Sequence, residues 1–275
     1  MMRPREREHP SGTTADLTGR TALVTGAGRG IGRAIACALA DAGAAVVLTS
    51  RTGAELAETA AIVRASGGLA VTAPADVSDR SQVDDLHRTA LELTGQVDIV
   101  VNNAGNLVCA PFVALPADER PRSLPPPLSY EDWRSSHAVH LDGAFHVLQA
   151  FAPQMLSRRH GRVINIVSTA LGRTVPFCSA YDAAKAALAQ LTRSLAFEWA
   201  RYGVTVNAIA AGQFSTRLSA HLHETETGQA WLQKRIPMRA VGDLAEIGRL
   251  AVILASDQFP FLTGQVIALD GGETL

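Results

Sequence analysis

The run Thr21-Ala-Leu-Val-Thr25, followed by Gly26-Ala-Gly-Arg-Gly30-Ile-Gly32 and then by the alanine-rich helical pattern Arg33 to Asp41, decides the fold. A short apolar strand, a glycine turn and a helix in that order open a βαβ unit of the kind that holds a nucleotide. Glycines let the backbone turn sharply and approach a pyrophosphate, whose charge then sits at the helix N-terminus. The spacing is Thr-Gly-x-x-x-Gly-x-Gly at Thr25, Gly26, Gly30 and Gly32. It is not G-x-G-x-x-G, because Ile31 and Arg33 stand where the last glycine of that pattern would fall. A glycine turn alone also fits an ordinary tight βα connection, so the rest of the chain has to decide.

Working outward, further strands are predicted at Ala45–Ser50, Leu69–Ala73, Val97–Val101, Val163–Val167, Val204–Ala210 and Val266–Asp270. Helical patterns at Ser81–Leu93, Tyr130–Arg158, Ala183–Ala200 and Leu244–Ala255 fall between them, with Pro153 expected to bend the second. Strands alternating with helices imply a mostly parallel sheet covered on both faces, with the nucleotide across the carboxyl ends of its strands. At the end of the second strand an acid would suit the ribose 2′-hydroxyl of NAD, and arginine the 2′-phosphate of NADP. Ser50 and Arg51 stand there and Arg29 lies in the glycine loop, which favours NADP(H).

The fifth strand ends at Ser168, and Tyr181 and Lys185 follow four residues apart at the start of a helical pattern. Residues at i and i+4 share a helix face, so a phenol and an amine occupy one small volume. The chain has only three tyrosines and two lysines, which makes a chance Tyr-x-x-x-Lys rare. A phenol titrates near pH ~10, and a fixed ammonium beside it favours the phenolate; a three-unit shift corresponds to ~4 kcal/mol. Ser168 is able to hydrogen-bond the same oxygen that the tyrosine protonates. Cys178, three residues before Tyr181, is expected to border this site as a packed thiol.

The remaining features set limits. A net charge of -1 over 275 residues gives no reason to expect nucleic acid or an anionic membrane surface, and no apolar run reaches the ~18 residues that span a bilayer. Cys37, Cys109 and Cys178 form no C-x-x-C and read as reduced thiols in a cytoplasmic protein. His221 and His223 have no partners at ligand spacing, so no metal is expected. Residues 1–16 read as a disordered extension ahead of one domain, 17–275. Asn106 to Ser129, with Pro111, Pro116, Pro121 and Pro125-Pro-Pro127, reads as a long loop, and Gln213 to Gly228 as a polar stretch able to close over a substrate.

Taken together, these motifs resemble the short-chain dehydrogenase/reductase family from about Thr18 to Gly272. Thr25-Gly-Ala-Gly-Arg-Gly-Ile-Gly32 is similar to its cofactor loop, Asp76-Val77 to its adenine contact, Asn102-Asn-Ala-Gly105 to its sheet-stabilising motif, and Ser168 with Tyr181-Asp-Ala-Ala-Lys185 to its catalytic set. The resemblance implies a single-domain, Rossmann-like doubly wound sheet of seven mostly parallel strands. It also implies that Tyr181 donates a proton to a carbonyl oxygen, that Ser168 polarises that oxygen, and that Lys185 holds the nicotinamide ribose and lowers the tyrosine pKa. The cofactor shell it implies comprises Gly26, Arg29, Gly30, Ile31, Gly32, Ser50, Arg51, Asp76, Val77, Asn103, Ala104, Gly105, Tyr181, Lys185, Gly212 and Thr216.

The activity the resemblance implies is NADPH-dependent reduction of a small or medium ketone, in the manner of 3-oxoacyl-carrier-protein reductases, polyketide ketoreductases and sugar or steroid alcohol dehydrogenases, in a homo-oligomer, tetramer or dimer. An NAD-preferring alcohol dehydrogenase and a non-catalytic nucleotide-binding protein are the rival readings. Three departures stand out. His140 replaces an asparagine that orders a water in the family's proton relay; an unperturbed imidazole titrates near pH ~6.5, so pH-sensitive activity is expected if it serves there. Ala211-Gly212 replaces Pro-Gly, and the proline-rich loop from about Phe112 to Leu128 is longer than usual.

Overall fold

Seven strands form one sheet in the order β3-β2-β1-β4-β5-β6-β7. They are β1 (Thr21–Thr25), β2 (Ala45–Thr49), β3 (Ala70–Thr72), β4 (Ile99–Asn102), β5 (Gly161–Ser168), β6 (Val204–Ala211) and β7 (Val266–Leu269). All six pairings are parallel. The structure is a computed structural model that describes residues 15–116, 125–216, 219, 222 and 224–275. Apart from Ala15 and Asp16, the expected N-terminal extension lies outside the described residues, as do residues 117–124 of the proline-rich loop and both His221 and His223.

Side chains alternate across the sheet, and each face buries its own helices. Ala22, Val24, Val46, Leu48, Ile164 and Ile209 pack under α1 (Gly30–Asp41), α2 (Gly53–Ala65) and the last helix, Leu244–Ala255, through Ile35, Leu39, Leu56 and Ile247. Leu23, Val47, Val100, Val163 and Val206 pack on the other side against α3 (Arg80–Thr94) and α5 (Gly143–Arg158), through Val83, Leu86, Val147 and Phe151. α6 (Ser179–Trp199) covers the same face farther along, with Leu188 and Ala189 against Ala208 and Ala210. Strands buried on both faces have to be continuous apolar runs, which is why β1, β5 and β6 stood out in the sequence.

The long helical stretch is interrupted. α4 (Tyr130–His137) passes through a π turn, Ala138–Asp142, before α5 begins. Pro153 lies inside α5, and the break in regular winding falls instead at the turn that carries His140. Among the described residues, two helices were not anticipated. α2 buries Leu56, Thr59, Ala60 and Val63 at helical spacing, but mostly with small residues that contrast little with their neighbours. α7 (Glu226–Arg235) buries only Gly228, Leu232 and Arg235 within the polar stretch after β6. The last helix, Leu244–Ala255, is α8.

Candidate active site

β1 and β4 are neighbours from which the chain departs toward opposite edges of the sheet, so a crevice opens beyond their carboxyl ends. A cleft of about 970 Å³ lies there, and every residue expected at the site lines it, from Gly26, Arg29 and Gly30 at one end to His140, Ser168, Tyr181 and Lys185 at the other. Ser50, Arg51, Asp76, Val77, Asn103, Ala104, Gly105, Gly212 and Thr216 line it as well.

The glycine loop is shaped by contact. A Cβ on Gly32 would collide with Gly26 O, and one on Gly26, at φ +64°, would stand 2.8 Å from Asn103 Nδ2. Asn103 braces this turn by donating Nδ2 to Thr25 O at 2.9 Å and Gly26 O at 3.2 Å. Thr25 Oγ1 in turn accepts from the backbone of Asn103 and Ala104 at 2.9 and 3.0 Å. At Gly30 the nearest atoms to a built Cβ belong to Thr216, 3.5 Å away. Helix α1 starts without a side-chain cap and without an acid in its first turn, whereas Asp79 caps α3 and Asp243 caps α8. Its first N–H groups therefore offer donors and a positive dipole end to an anion. The loop and helix fit a dinucleotide pyrophosphate.

At the end of β2 the charges differ from the sequence reading. Arg29 Nη1 lies 2.8 Å from Glu55 Oε1, and a Cβ on Gly28 would meet Glu55 Cβ at 2.8 Å. Arg51 reaches Asp76 only at 4.0 Å and is mostly exposed. An acid does stand in this corner, supplied by the first turn of the unanticipated α2. Asp76 is held by Ser78, whose N and Oγ donate to its carboxylate at 3.0 and 2.7 Å.

At the far end, β5 delivers Ser168 as its last residue, and the Ser168 Oγ accepts from Ala170 N at 3.1 Å. α6 brings Tyr181 and Lys185 beside it. A buried polar chain holds that helix to the sheet: Asn102 Nδ2 donates to Asn165 Oδ1 at 2.8 Å, and Asn165 Nδ2 to Thr192 Oγ1 at 2.9 Å. Lys185 is buried, and its Nζ donates to Ile166 O at 2.6 Å and lies 5.7 Å from the centre of the Tyr181 ring. Burial brings the lysine down to about 7. It pushes Tyr181 up to about 12, against a smaller opposite pull from Ser168. In the protein by itself the phenol is therefore raised, not lowered: desolvation outweighs the Ser168 hydrogen bond.

His140 is buried too. Its Nε2 lies 2.8 Å from Asn106 O and 3.3 Å from Asn106 N, and a Cβ on Gly105 would collide with its ring. Its Nδ1 has no protein partner. Burial first, then the charge of Lys185, bring His140 down to about 3, so the imidazole is neutral throughout the physiological range. The pH sensitivity expected of it does not follow.

Several cleft residues carried no signal in the sequence: Glu55 and Trp231 on unanticipated helices, and Asn106, Leu107 and Cys109 in the loop after β4. Residue spacing does not reveal which loop positions face inward.

Residues 26–274 match the family model described as enoyl-(acyl carrier protein) reductase. Gluconate 5-dehydrogenase of Gluconobacter oxydans is 36% identical over 94% of this chain and 96% of its own. 2-Dehydro-3-deoxy-D-gluconate 5-dehydrogenase of Bacillus subtilis is 38% identical over 93% and 95%. A gluconate 5-dehydrogenase from Burkholderia cenocepacia, solved in complex with NADP and tartrate, superposes with a TM-score of 0.85 at 38% identity, covering 94% of this chain and 96% of its own. The chain belongs to the short-chain dehydrogenase/reductase family of oxidoreductases. Among the described residues no helix is long and apolar enough to cross a membrane.

Proposed function

We propose that the protein is an NADPH-dependent carbonyl reductase in which Tyr181 donates the proton. The observation that carries this reading is the meeting, in one cleft, of an uncapped helix start behind a glycine loop with Ser168, Tyr181 and Lys185. NADPH supplies the hydride; the chain supplies position and electrostatics. Gly26, Gly30 and Gly32 approach the pyrophosphate, Arg29 and Arg51 face the 2′-phosphate, and Asp76 with Val77 borders the adenine.

A phenol held near 12 keeps its proton at neutral pH, which is the state a carbonyl reduction starts from. Ser168 Oγ, at the strand end beside it, donates to the carbonyl oxygen and fixes its direction. Lys185, held against Ile166 O, contributes positive charge where negative charge develops. His140, neutral and pinned to the Asn106 backbone, shapes the wall at Gly105.

The substrate end is lined by Leu107, Val175, Pro176, Phe214, Leu222 and Trp231. Among the described residues lining that half, Lys185 is the one cation and Asp182 the one acid. An uncharged ketone of moderate size suits that surface better than a sugar acid, whose carboxylate would find no arginine among the described residues lining that half. The second reading, a gluconate-type dehydrogenase, rests on the names of the relatives. Phe145 on α5 and Phe197 on α6 are exposed, which supports a homo-oligomer.

The test is NADPH and NADH oxidation by purified protein across neutral ketones, a 3-oxoacyl thioester and 5-keto-D-gluconate, with Tyr181→Phe alongside. Turnover with NADPH on a neutral ketone, reduced about 10²–10⁴-fold in the variant, is expected. Turnover confined to the keto acid would favour the second reading, and turnover untouched by Tyr181→Phe would overturn the assignment of the proton donor.

A further inference from the structure

Cys109 and Cys178 are 69 residues apart in the chain, and their Sγ atoms are 2.7 Å apart in the fold. Both are free thiols, Cys109 exposed on the loop after β4 and Cys178 buried as the residue that precedes α6. The backbone beside them is joined as well, since Ala110 N donates to Phe177 O at 2.8 Å. A disulfide places its sulfurs about 2.05 Å apart, so small side-chain adjustments close the remaining gap. Among the described residues no group of three or more His, Cys, Asp or Glu sits together as a metal site, so the pair stands by itself.

The geometry points to Cys109 and Cys178 as a reversible disulfide switch, formed by hydrogen peroxide, that ties the loop after β4 to the N-terminus of α6 at the substrate end of the cleft. Both thiols line that cleft, and Tyr181 follows Cys178 by one helical turn. The cross-link fixes residues 109–110 against 177–178. It leaves the glycine loop, at the other end, untouched.

The two sulfurs are suited to different steps. Cys109 is the exposed thiol, open to peroxide, and its hydrogen-bond contact with Cys178 brings it below the usual thiol range. The same hydrogen bond, together with burial, pushes Cys178 up. Cys109 thiolate attacks one peroxide oxygen, the O–O bond breaks, and hydroxide leaves with a proton as water; Cys109 becomes a sulfenic acid. The Cys178 sulfur then attacks the sulfenic sulfur, and its proton departs with the hydroxyl as a second water. Two thiols and one peroxide become one disulfide and two waters. A thiol reductant restores both. Cys37, half-buried in α1 with its thiol pushed up by burial, is an internal control.

The test is independent of the proposed reaction. Reduced protein is treated with hydrogen peroxide at a small excess, alkylated with iodoacetamide and digested without reductant. One peptide pair joined through Cys109 and Cys178 is expected, about 2 Da below the sum of the reduced peptides. Cys37 stays alkylated, and dithiothreitol reverses the link. Cys109→Ser, at an exposed position where folding is not in question, abolishes it.

In the oxidised protein, hydrogen exchange slows in peptides covering 106–112 and 177–182 and is unchanged around Gly26–Gly32. Three results would overturn the proposal: both cysteines remaining alkylatable, Cys109 passing to sulfinic acid with Cys178 free, or a cross-link that leaves exchange in both segments unchanged.

Discussion

The imidazole of His140 stands edge-on to the phenol of Tyr181, ring centroids 5.1 Å apart at 85°. With Nε2 committed to the Asn106 backbone and Lys185 nearby, the ring is held neutral, at about 3. The unfolded chain protonates this histidine near pH ~6.5, while the folded protein does so only near 3, so folding stability is complete above 6.5 and lost as pH falls between the two values. His140→Asn removes this slope. Urea unfolding at pH 7 and pH 4.5 is expected to show the wild-type protein losing more stability than the variant, by roughly 2–3 kcal/mol over that interval. Equal losses would mean that His140 is not buried as a neutral ring.

The pairing of Arg29 with Glu55 bears on cofactor choice. The pair is half-exposed and worth well under ~1 kcal/mol to stability. A 2′-phosphate arriving at Arg29 would meet the Glu55 carboxylate as a like charge. Glu55→Gln is expected to tighten NADPH about fivefold, on the order of 1 kcal/mol, and to leave NADH almost unchanged. Fluorescence titration with both dinucleotides checks this. Parallel gains for both would remove Glu55 from any role in discrimination.

These outcomes show what residue order carried. The glycine loop, Ser168, Tyr181 and Lys185 were legible because each motif is local: their chemistry depends on spacings of one to four residues on a strand end or helix face. The parallel sheet was legible because strands buried on both faces cannot hide their apolar runs. Glu55 was not, since α2 buries mostly small residues and its acid meets Arg29 only through the fold. Nor was the contact of Cys109 with Cys178, made across 69 residues. His140, Tyr181 and Lys185 depart from their ordinary values for one shared reason that residue order does not carry: the ordinary pKa of a side chain presumes water around it, and the fold removes that water.

Lys185 predicts a pH limb. Burial brings its ammonium down to about 7, so free protein loses that charge as pH rises through neutrality. The kcat/KM for NADPH is expected to fall along a basic limb with a midpoint near that value, since this ratio reports groups in the free enzyme. In Lys185→Arg, whose guanidinium stays charged, the rate is lower and the limb is absent. A limb that persists in the variant would assign it to another group.

The last prediction concerns the substrate side, where Arg235 at the end of α7 forms a buried ion pair with Glu273, fully enclosed near the C-terminus. Arg235 Nη2 also donates to Arg173 O at 2.6 Å, and Thr169 Oγ1, one residue beyond Ser168, donates to Glu273 Oε2 at 3.2 Å. The guanidinium lies 4.8 Å from the ring centre of Trp231, which lines the cleft. One pair thus joins the C-terminal segment, the turn after Ser168 and the helix that walls the substrate end. Glu273→Gln removes the carboxylate that pairs directly with the buried Arg235, and removing one partner of such a pair costs about 3–5 kcal/mol. Denaturant unfolding is expected to show that loss. In the folded fraction, KM for the carbonyl substrate rises because Trp231 is no longer held, while NADPH affinity, set at the opposite end of the cleft, stays as it was. A stability loss with unchanged KM would confine the pair to structure and detach α7 from substrate binding.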